Sequence, residues 1–190
     1  MDDKKIAALA QEIDFIKDDK IRNFAKVAVS SLPDYFFEVA ASSTGKYHPS
    51  YALGEGGLLR HTKAAVRIAN DLLSLEMYGS YSQMEKDIMI LGLILHDGLK
   101  HGETLSPYTI AEHPIVCASW VKDTLPWKEY LSYAQVVLLC EVISSHMGQW
   151  NTSYKTNEEI LPKPRSRYQK FVHQCDYLAS RKYLEFNFNV

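Results

Sequence analysis

The 190-residue sequence has few of the features that mark secreted, membrane-spanning or strongly charged proteins. It has three cysteines and no Cys-x-x-Cys pair, so neither a disulfide framework nor a thiolate zinc site is indicated. No apolar run reaches the roughly 18 residues of a membrane span. Twenty-one basic and twenty-three acidic residues nearly cancel and leave a net charge of −2. We therefore expect no membrane partner and no binding of long duplex nucleic acid.

The cysteines and the N-terminal segment both favour a cytoplasmic protein. Cys117, Cys140 and Cys175 lie far apart in apolar segments, which is typical of buried, reduced thiols. Residues 1–15 are charged and amphipathic, unlike a secretory signal. These features predict the cytoplasm of a bacterium or of a phage-infected host. A homodimer is the default expectation for a soluble protein.

Helical spacing of apolar residues is the main structural signal. Strand-like alternation next to hairpin turns is not found, and 46% hydrophobic composition is enough for one core. The sequence predicts an all-α bundle, with residues 1–190 in a single domain and N-terminal helices within residues 1–41. The predicted helices cover about 3–17, 20–41, 58–78, 83–96, 111–123, 130–146 and 166–186.

Two connections are long for a helical domain, at residues 42–57 and 147–163. Long ordered loops often carry functional residues, so both are candidate rims of a site. The alternative interpretation is that they are tolerated surface insertions.

A wholly apolar helix ends in two polar residues. Residues 88–95 (IMILGLIL) are apolar on every face, which indicates a helix through the middle of the core. His96 and Asp97 follow directly. Burying an imidazole and a carboxylate costs several kcal/mol unless both are paired, and a divalent cation pairs with both. The pair therefore suggests a metal site.

Other potential ligands lie on separate predicted helices beside core-facing residues: His61, His113, His146 and Asp176. Each one alone is more typical of a satisfied core histidine or a paired acid than of a ligand. Their occurrence as a set favours a metal centre.

The order of these residues, with Gly56-Gly57 before the first and Lys100 after the His-Asp pair, resembles the HD superfamily of metal-dependent phosphohydrolases. The resemblance is to its six-ligand, dinuclear branch and covers about residues 47–185. It is closest to HD domains attached to 3′-to-5′ exoribonucleases and to small stand-alone phage or bacterial HD proteins. It implies a helical bundle of the HD type with its metal-binding core in residues 47–185.

The resemblance also implies a ligand set and a chemistry. One ion would be held by His61, His96, Asp97 and Asp176, and a second by His113 and His146, with Asp97 bridging. Imidazole and carboxylate ligands suit two divalent ions of Mn, Fe, Co, Ni or Zn. A metal-bridging hydroxide would cleave a phosphodiester or phosphoanhydride of a nucleotide, a cyclic nucleotide or a short oligonucleotide. Asp97 and Lys100 are the predicted catalytic residues, with Lys100 neutralising phosphoryl charge; alternatively, Lys100 is a solvated lysine after a helix end.

Five more residues are candidate substrate contacts because they combine an aromatic ring with phosphate-seeking cations: Arg60, Lys63, Trp150, Lys163 and Arg165. The alternative is that Trp150 packs its loop onto the core and the cations form a solvated face. His48 and His101 lie in or near loops and are not assigned to the metal set.

Two other functions remain open from the sequence. A one-metal (d)NTP or NMP phosphohydrolase would use four ligands, but His113 and His146 argue against it. A di-iron HD oxygenase would use the same six ligands, although Lys100 and the exonuclease-like flanks favour hydrolysis. A non-catalytic HD fold usually lacks ligands, and none is missing here.

Overall fold

The structure is a computed structural model that describes residues 1–42, 44–153 and 155–184. In the described ranges, helices are the regular secondary structure, joined by turns and loops, and one isolated bridge pairs Thr152 with Glu159. The all-α fold is thus confirmed, as is the packing of the helices into one bundle. The helices are α1 (Asp3–Ala8), α2 (Ala10–Asp14), α3 (Asp19–Ser30), α4 (Gly57–Leu73), α5 (Gln83–Leu95), α6 (His113–Asp123), α7 (Tyr133–Ser144) and α8 (Arg167–Ala179). Short 3-10 turns occur at Asp34–Phe37, Ser50–Ala52, Glu76–Tyr78, Trp127–Glu129 and Lys182–Leu184.

Helix α5 runs through the centre of the bundle, as its apolar sequence predicts. It begins at a capping box in which Ser82 and Glu85 each bond the other's backbone N–H. From Ile88 to Leu95 every residue is buried. Helices α3, α4, α7 and α8 all pack against it. The C-terminal end of α5 therefore opens inside the protein and not at its surface.

Several predicted helices end earlier in the structure. The first breaks into α1 and α2 at Leu9, whose backbone (φ −120°) leaves the helical region. The second ends at Ser30, because Pro33 cannot continue a helix and fixes an extended backbone. The helix predicted to reach residue 78 ends at Leu73, and the last ends at Ala179. Residues 185 and 186 of that last prediction lie outside the described ranges.

The cysteines match their prediction in part. Cys117 and Cys175 are buried and free, whereas Cys140 is free but only partly buried, so its prediction as a core thiol was wrong. The side chain of Cys140 lies at the edge of the α6–α7 contact, where its thiol donates towards Ala118 O. Within the described ranges, no helix combines the length and the apolar character that crossing a bilayer requires.

Candidate metal centre

Helix α4 carries His61 on its second turn, and two glycines fix how that helix begins. Gly56 adopts a left-handed backbone (φ +68°), and a Cβ on Gly57 would lie 2.3 Å from Ala52 O. The Gly56 N–H donates to Glu38 O at 2.7 Å, so the start of α4 is tied to the segment after α3. The close approach that glycine permits directs His61 into the protein, where its side chain is 1% exposed.

The other potential ligands come from four further places in the bundle. His96 and Asp97 stand at the buried end of α5, and His113 is the first residue of α6. His146 follows α7 by two residues, and Asp176 lies in the last turn of α8. The structure brings all six predicted residues together, although they span more than 100 positions of sequence.

Three of the histidines are oriented by the same local hydrogen bond. The Nδ1–H of each donates to the carbonyl three residues earlier: His96 to Leu93 at 2.7 Å, His113 to Ile110 at 2.8 Å and His146 to Ile143 at 2.8 Å. This bond fixes the tautomer and turns Nε2 away from the helix end. All three Nε2 atoms consequently point into one buried space.

Asp97 lies in the middle of the cluster and faces it with both oxygens. Oδ1 lies 3.0 Å from His113 Nε2 and 3.6 Å from His146 Nε2. Oδ2 lies 3.4 Å from His96 Nε2 and 3.9 Å from His61 Nε2. One carboxylate oxygen thus faces each pair of imidazoles, which is the arrangement that a bridging ligand requires.

Asp176 completes the His61 and His96 side of the cluster. Its Oδ1 lies 2.9 Å from His61 Nε2 and 3.5 Å from His96 Nε2. Donor atoms within 4.8 Å of one another form three overlapping groups: His61, His96 and Asp97; Asp97, His113 and His146; and His96, His146 and Asp176. These buried histidine and aspartate groups can hold metal ions.

The arrangement of lone pairs supports a metal site more specifically than residue type does. His113 Nε2 and His146 Nε2 lie 3.3 Å apart, although both rings already donate their Nδ1 proton to a carbonyl. In neutral rings, two nitrogen lone pairs then face each other in a buried space. His96 Nε2 is buried without an aligned hydrogen bond in the described structure. A cation satisfies the facing nitrogens of His113 and His146, and it can also bind His96 Nε2 once that nitrogen has lost its proton, so the residues fit the ion.

The charges of the cluster also favour a cation. Burial opposes ionisation of Asp97, but Lys100 and His96 outweigh it and hold the Asp97 pKa well below its usual range. Burial likewise opposes ionisation of Asp176, yet His61 and His96 keep its pKa well below the usual range. Burial lowers the His96 pKa, but the charges of Asp97 and Asp176 reverse the effect and raise that pKa to about 10. The space between the carboxylates therefore attracts positive charge.

No protein-family model, curated protein or solved structure matches the chain.

Lys100 lies beside the cluster and is not a solvated lysine. Its side chain is 13% exposed, and its ammonium donates to Asp97 Oδ2 at 2.6 Å. The local turn after α5 creates this contact, since Lys100 N–H donates back to Asp97 O at 3.1 Å. Lys100 therefore sets the charge of the central carboxylate directly.

A cleft of about 150 Å³ leads from the surface to the cluster. It is lined by His48, His61, Asp97, Lys100, His146, Met147, Trp150, Asp176, Tyr177, Ser180 and Arg181. Trp150 stacks on Tyr177 at 5.7 Å with an interplanar angle of 14° and remains 45% exposed. Of the five predicted substrate contacts, Trp150 alone is among the residues that line the described cleft.

The four predicted cations lie elsewhere. Arg60 donates to the carbonyls of Tyr51, Leu53 and Glu55, so it fastens the loop before α4. Lys63 lines a separate surface cavity with Arg60. Lys163 is exposed and forms an ion pair with Glu159, and Arg165 is exposed with its backbone N–H bonded to Gln169.

Five residues that line the cleft were not among the predicted site residues: His48, Met147, Tyr177, Ser180 and Arg181. His48 lies with its ring centroid 5.5 Å from that of His61, and burial, together with the charges of His61 and Lys100, lowers its pKa to about 4. Its Nδ1 is buried without a hydrogen-bond partner in the described structure. Arg181 lies five residues after Asp176, at the end of α8. The signal for His48 was its place in loop 42–57, which was predicted to form a rim; nothing in the sequence singles out Arg181.

His173 and His101 have structural contacts. His173 Nδ1–H donates to His146 O at 2.7 Å, which fixes the backbone of a potential ligand. His101 is bonded through Nδ1 to Ser106 O at 2.8 Å and does not line the cleft.

Proposed function

We propose that the protein is an HD-type, metal-dependent phosphohydrolase that acts on a phosphodiester or phosphoanhydride of a small nucleotide or short oligonucleotide. The observation that carries the proposal is the position of Asp97, with one oxygen facing His113 and His146 and the other facing His61 and His96. Asp176 adds a carboxylate on the second side.

Two divalent ions would be held here, one by His61, His96, Asp97 and Asp176 and the other by Asp97, His113 and His146. Mn, Fe, Co, Ni and Zn all accept such ligands. When bound, a pair of such ions supplies Lewis acidity and a water molecule activated near neutral pH.

The protein's own residues supply charge, shape and orientation. Lys100 holds Asp97 ionised and offers an ammonium at the wall of the cleft. His48 is neutral at pH 7, because its pKa is about 4, and it offers a ring nitrogen to a ligand in the cleft. Met147 and Trp150 line the same cleft beside these groups.

A one-metal nucleotide phosphohydrolase is the second candidate, and one observation favours it. His96, His146 and Asp176, which fall on different sides of the two-ion division, also converge within 4.8 Å. A single central ion fits that group.

Metal content and substrate preference together test the proposal. The metal content of the protein is measured by elemental analysis as purified and again after loading with Mn, and hydrolysis of bis-p-nitrophenyl phosphate is compared with that of p-nitrophenyl phosphate. We expect about two ions per chain and preferential cleavage of the diester. The matched variants are Asp97→Asn, which removes the central carboxylate, and Asp71→Asn, which removes an exposed carboxylate on α4.

The outcomes separate the candidates. Loss of metal and of turnover in D97N but not in D71N supports the two-ion hydrolase. One ion per chain with preference for the monoester supports the second candidate. Two bound irons without either activity, but with oxygen uptake, would replace hydrolysis by oxygenation.

A further inference from the structure

Arg181 lines two neighbouring cavities and lies between them. One is the cleft of about 150 Å³ at the metal centre, and the other is a cavity of about 490 Å³ lined by Lys46, Tyr47, Lys182 and Tyr183. Pockets that bury a drug-sized molecule measure about 300–1,000 Å³. The cleft therefore accommodates a phosphoryl group, and the rest of a nucleotide-sized molecule needs the space beyond Arg181.

Aromatic rings and one hydroxyl hold the Arg181 guanidinium in place. Its carbon lies 4.5 Å from the ring centroid of Tyr177, 5.7 Å from that of Trp150 and 5.9 Å from that of Tyr47. Nε and Nη2 both donate to Ser180 Oγ, at 3.1 and 2.8 Å. In the ranges that the structure describes, no carboxylate lies within 4 Å of it. A guanidinium fixed in this way has donors left for an anion.

Arg181 is better placed than Lys100 to bind a substrate phosphate. The Lys100 ammonium is already bonded to Asp97 Oδ2, so its charge is largely committed to a ligand carboxylate. Arg181 stands at the mouth of the same cleft. An arginine fork at that position can bond two phosphate oxygens at once.

The second cavity has the composition of a nucleotide-binding surface. Its described lining contains three cations and two tyrosines and no acidic residue. The Lys46 ammonium lies 5.2 Å from the ring centroid of Tyr47. The backbone N–H of Lys182 donates to Tyr47 O at 2.8 Å, which joins the loop before α4 to the end of α8. Aromatic faces beside phosphate-seeking cations are typical of sites that bind single-stranded nucleotides.

We propose that this cavity, lined by Lys46, Tyr47, Arg181, Lys182 and Tyr183, is a substrate subsite that binds a second phosphate-bearing nucleotide unit. The inference rests on the proposed function in one respect, because it assumes that a phosphate occupies the neighbouring cleft. Arg181 bonds the phosphate between the two cavities, and Lys46 and Lys182 bond the next one. A dinucleotide with a terminal phosphate is therefore a better ligand than a small phosphodiester.

Binding of methylphosphonate-linked dithymidine tests the subsite without turnover. Three versions are titrated calorimetrically into Mn-loaded protein: one with two free hydroxyl ends, one with a 5′-phosphate and one with a 3′-phosphate. We expect one terminal phosphate to tighten binding about tenfold, the worth of a charge-assisted hydrogen bond. That gain should be lost in the Lys46→Ala, Lys182→Ala double variant. The control is Lys128→Ala, which removes a lysine from another surface, where its ammonium lies 5.7 Å from the ring centroid of Trp127. The control variant should retain the gain. Equal binding of all three ligands, or an equal gain in the double variant, overturns the subsite.

Turnover provides an independent readout. The ratio of kcat/KM for phosphorylated dithymidylate to that for bis-p-nitrophenyl phosphate should fall about tenfold in the double variant. If the wild type cleaves the small diester but the ratio does not change, the subsite inference fails and the hydrolase proposal stands. If the wild type cleaves neither substrate yet the terminal phosphate still tightens binding, the hydrolase proposal fails and the subsite stands.

Discussion

Single hydrogen bonds set the orientation of His96, His113 and His146. Each ring is anchored through Nδ1 to a carbonyl three residues back, so the rings point inwards before any ion is present. Such an anchor lowers the cost of assembling a metal site, because ring rotation is already restricted. His61 differs: its Nδ1 is buried without a hydrogen-bond partner in the described structure, and Asp176 alone orients its ring.

Metal binding should release a proton from His96. Because its pKa is about 10, the metal-free protein carries that proton at neutral pH. The charged ring stabilises the metal-free fold fully below the unfolded-state pKa of about 6.5, and this contribution is lost as the pH rises through about 10. An ion can bind Nε2 only after the proton leaves. We expect about one proton released per chain at pH 7.5, measured by Mn titration in buffers of different ionisation enthalpy. A binding heat that is the same in all buffers would contradict the prediction.

Removing His146 should empty the second metal position selectively. His146 faces Asp97 Oδ1, whereas His61 and His96 face Oδ2. We expect His146→Ala to fold, to retain about one ion per chain and to lose at least about tenfold in diester turnover, since loss even of a hydrogen-bond partner of a metal ligand typically costs about 10–100-fold. Elemental analysis and a diester assay on the same sample check this. Full activity with one ion would favour a one-metal enzyme that uses His61, His96, Asp97 and Asp176, and it would exclude a single ion held by His96, His146 and Asp176.

At the scale of elements, the turn after α7 connects the stability of the fold with the geometry of the candidate metal centre. Gly148 has a left-handed backbone (φ +62°), and a Cβ there would lie 2.1 Å from the His173 ring that bonds His146 O. Gly54 has a similar φ of +66°, but its Cβ would meet nothing within 4 Å. We expect Gly54→Ala to cost about 1 kcal/mol from backbone strain alone. Gly148→Ala should cost about 1–3 kcal/mol more from overpacking.

Denaturant unfolding of both glycine variants separates the two effects, and metal analysis adds a second measure. Displacement of His173 by G148A should loosen the His146 backbone and weaken metal binding, whereas G54A should leave it intact. Equal losses of unfolding free energy in the two variants would mean that the His173 ring moves aside without destabilising the fold.

The helices predicted most accurately are those whose ends are marked in the local sequence. Helix α5 was predicted within one residue at its C-terminus, because an unbroken apolar run bounded by Ser82 and by His96-Asp97 allows few alternatives. The N-terminal helices were predicted too long, because apolar spacing alone does not register a break at Leu9 or a stop before Pro33.

Side chains of the site were predictable to different degrees. The six potential ligands converge as the resemblance implied, since each stands on or beside a helix whose inward face the apolar pattern identifies. Arg60 illustrates the limit: adjacent to His61 in sequence, it points outwards and bonds three loop carbonyls. Arg181 is the opposite case: it is distant in sequence from the predicted loop rim at residues 42–57, yet it lines the cleft. Its position there depends on the contact between the end of α8 and the loop before α4, which the sequence pattern does not reveal.

For the whole molecule, the candidate metal centre brings together elements that are distant in sequence. Its potential ligands come from α4, the end of α5, α6, the turn after α7 and α8, so an unfolded chain cannot present them together. Ions that bind only the folded state stabilise it by about 2.7 kcal/mol at a free concentration one hundred times Kd. For a chain of this length we expect each occupied site to raise the thermal midpoint by about 5–10 °C.

Thermal unfolding of Mn-loaded and chelator-treated protein measures this effect. In D97N the difference between the two samples should be much smaller than in the wild type, because the carboxylate that both sites share is missing, whereas D71N should keep the full difference. An identical midpoint with and without metal in the wild type would mean that the cluster is held by its own hydrogen bonds and ion pairs. In that case Asp97 and Lys100 would form a structural ion pair, and the central carboxylate would have no ion to bridge.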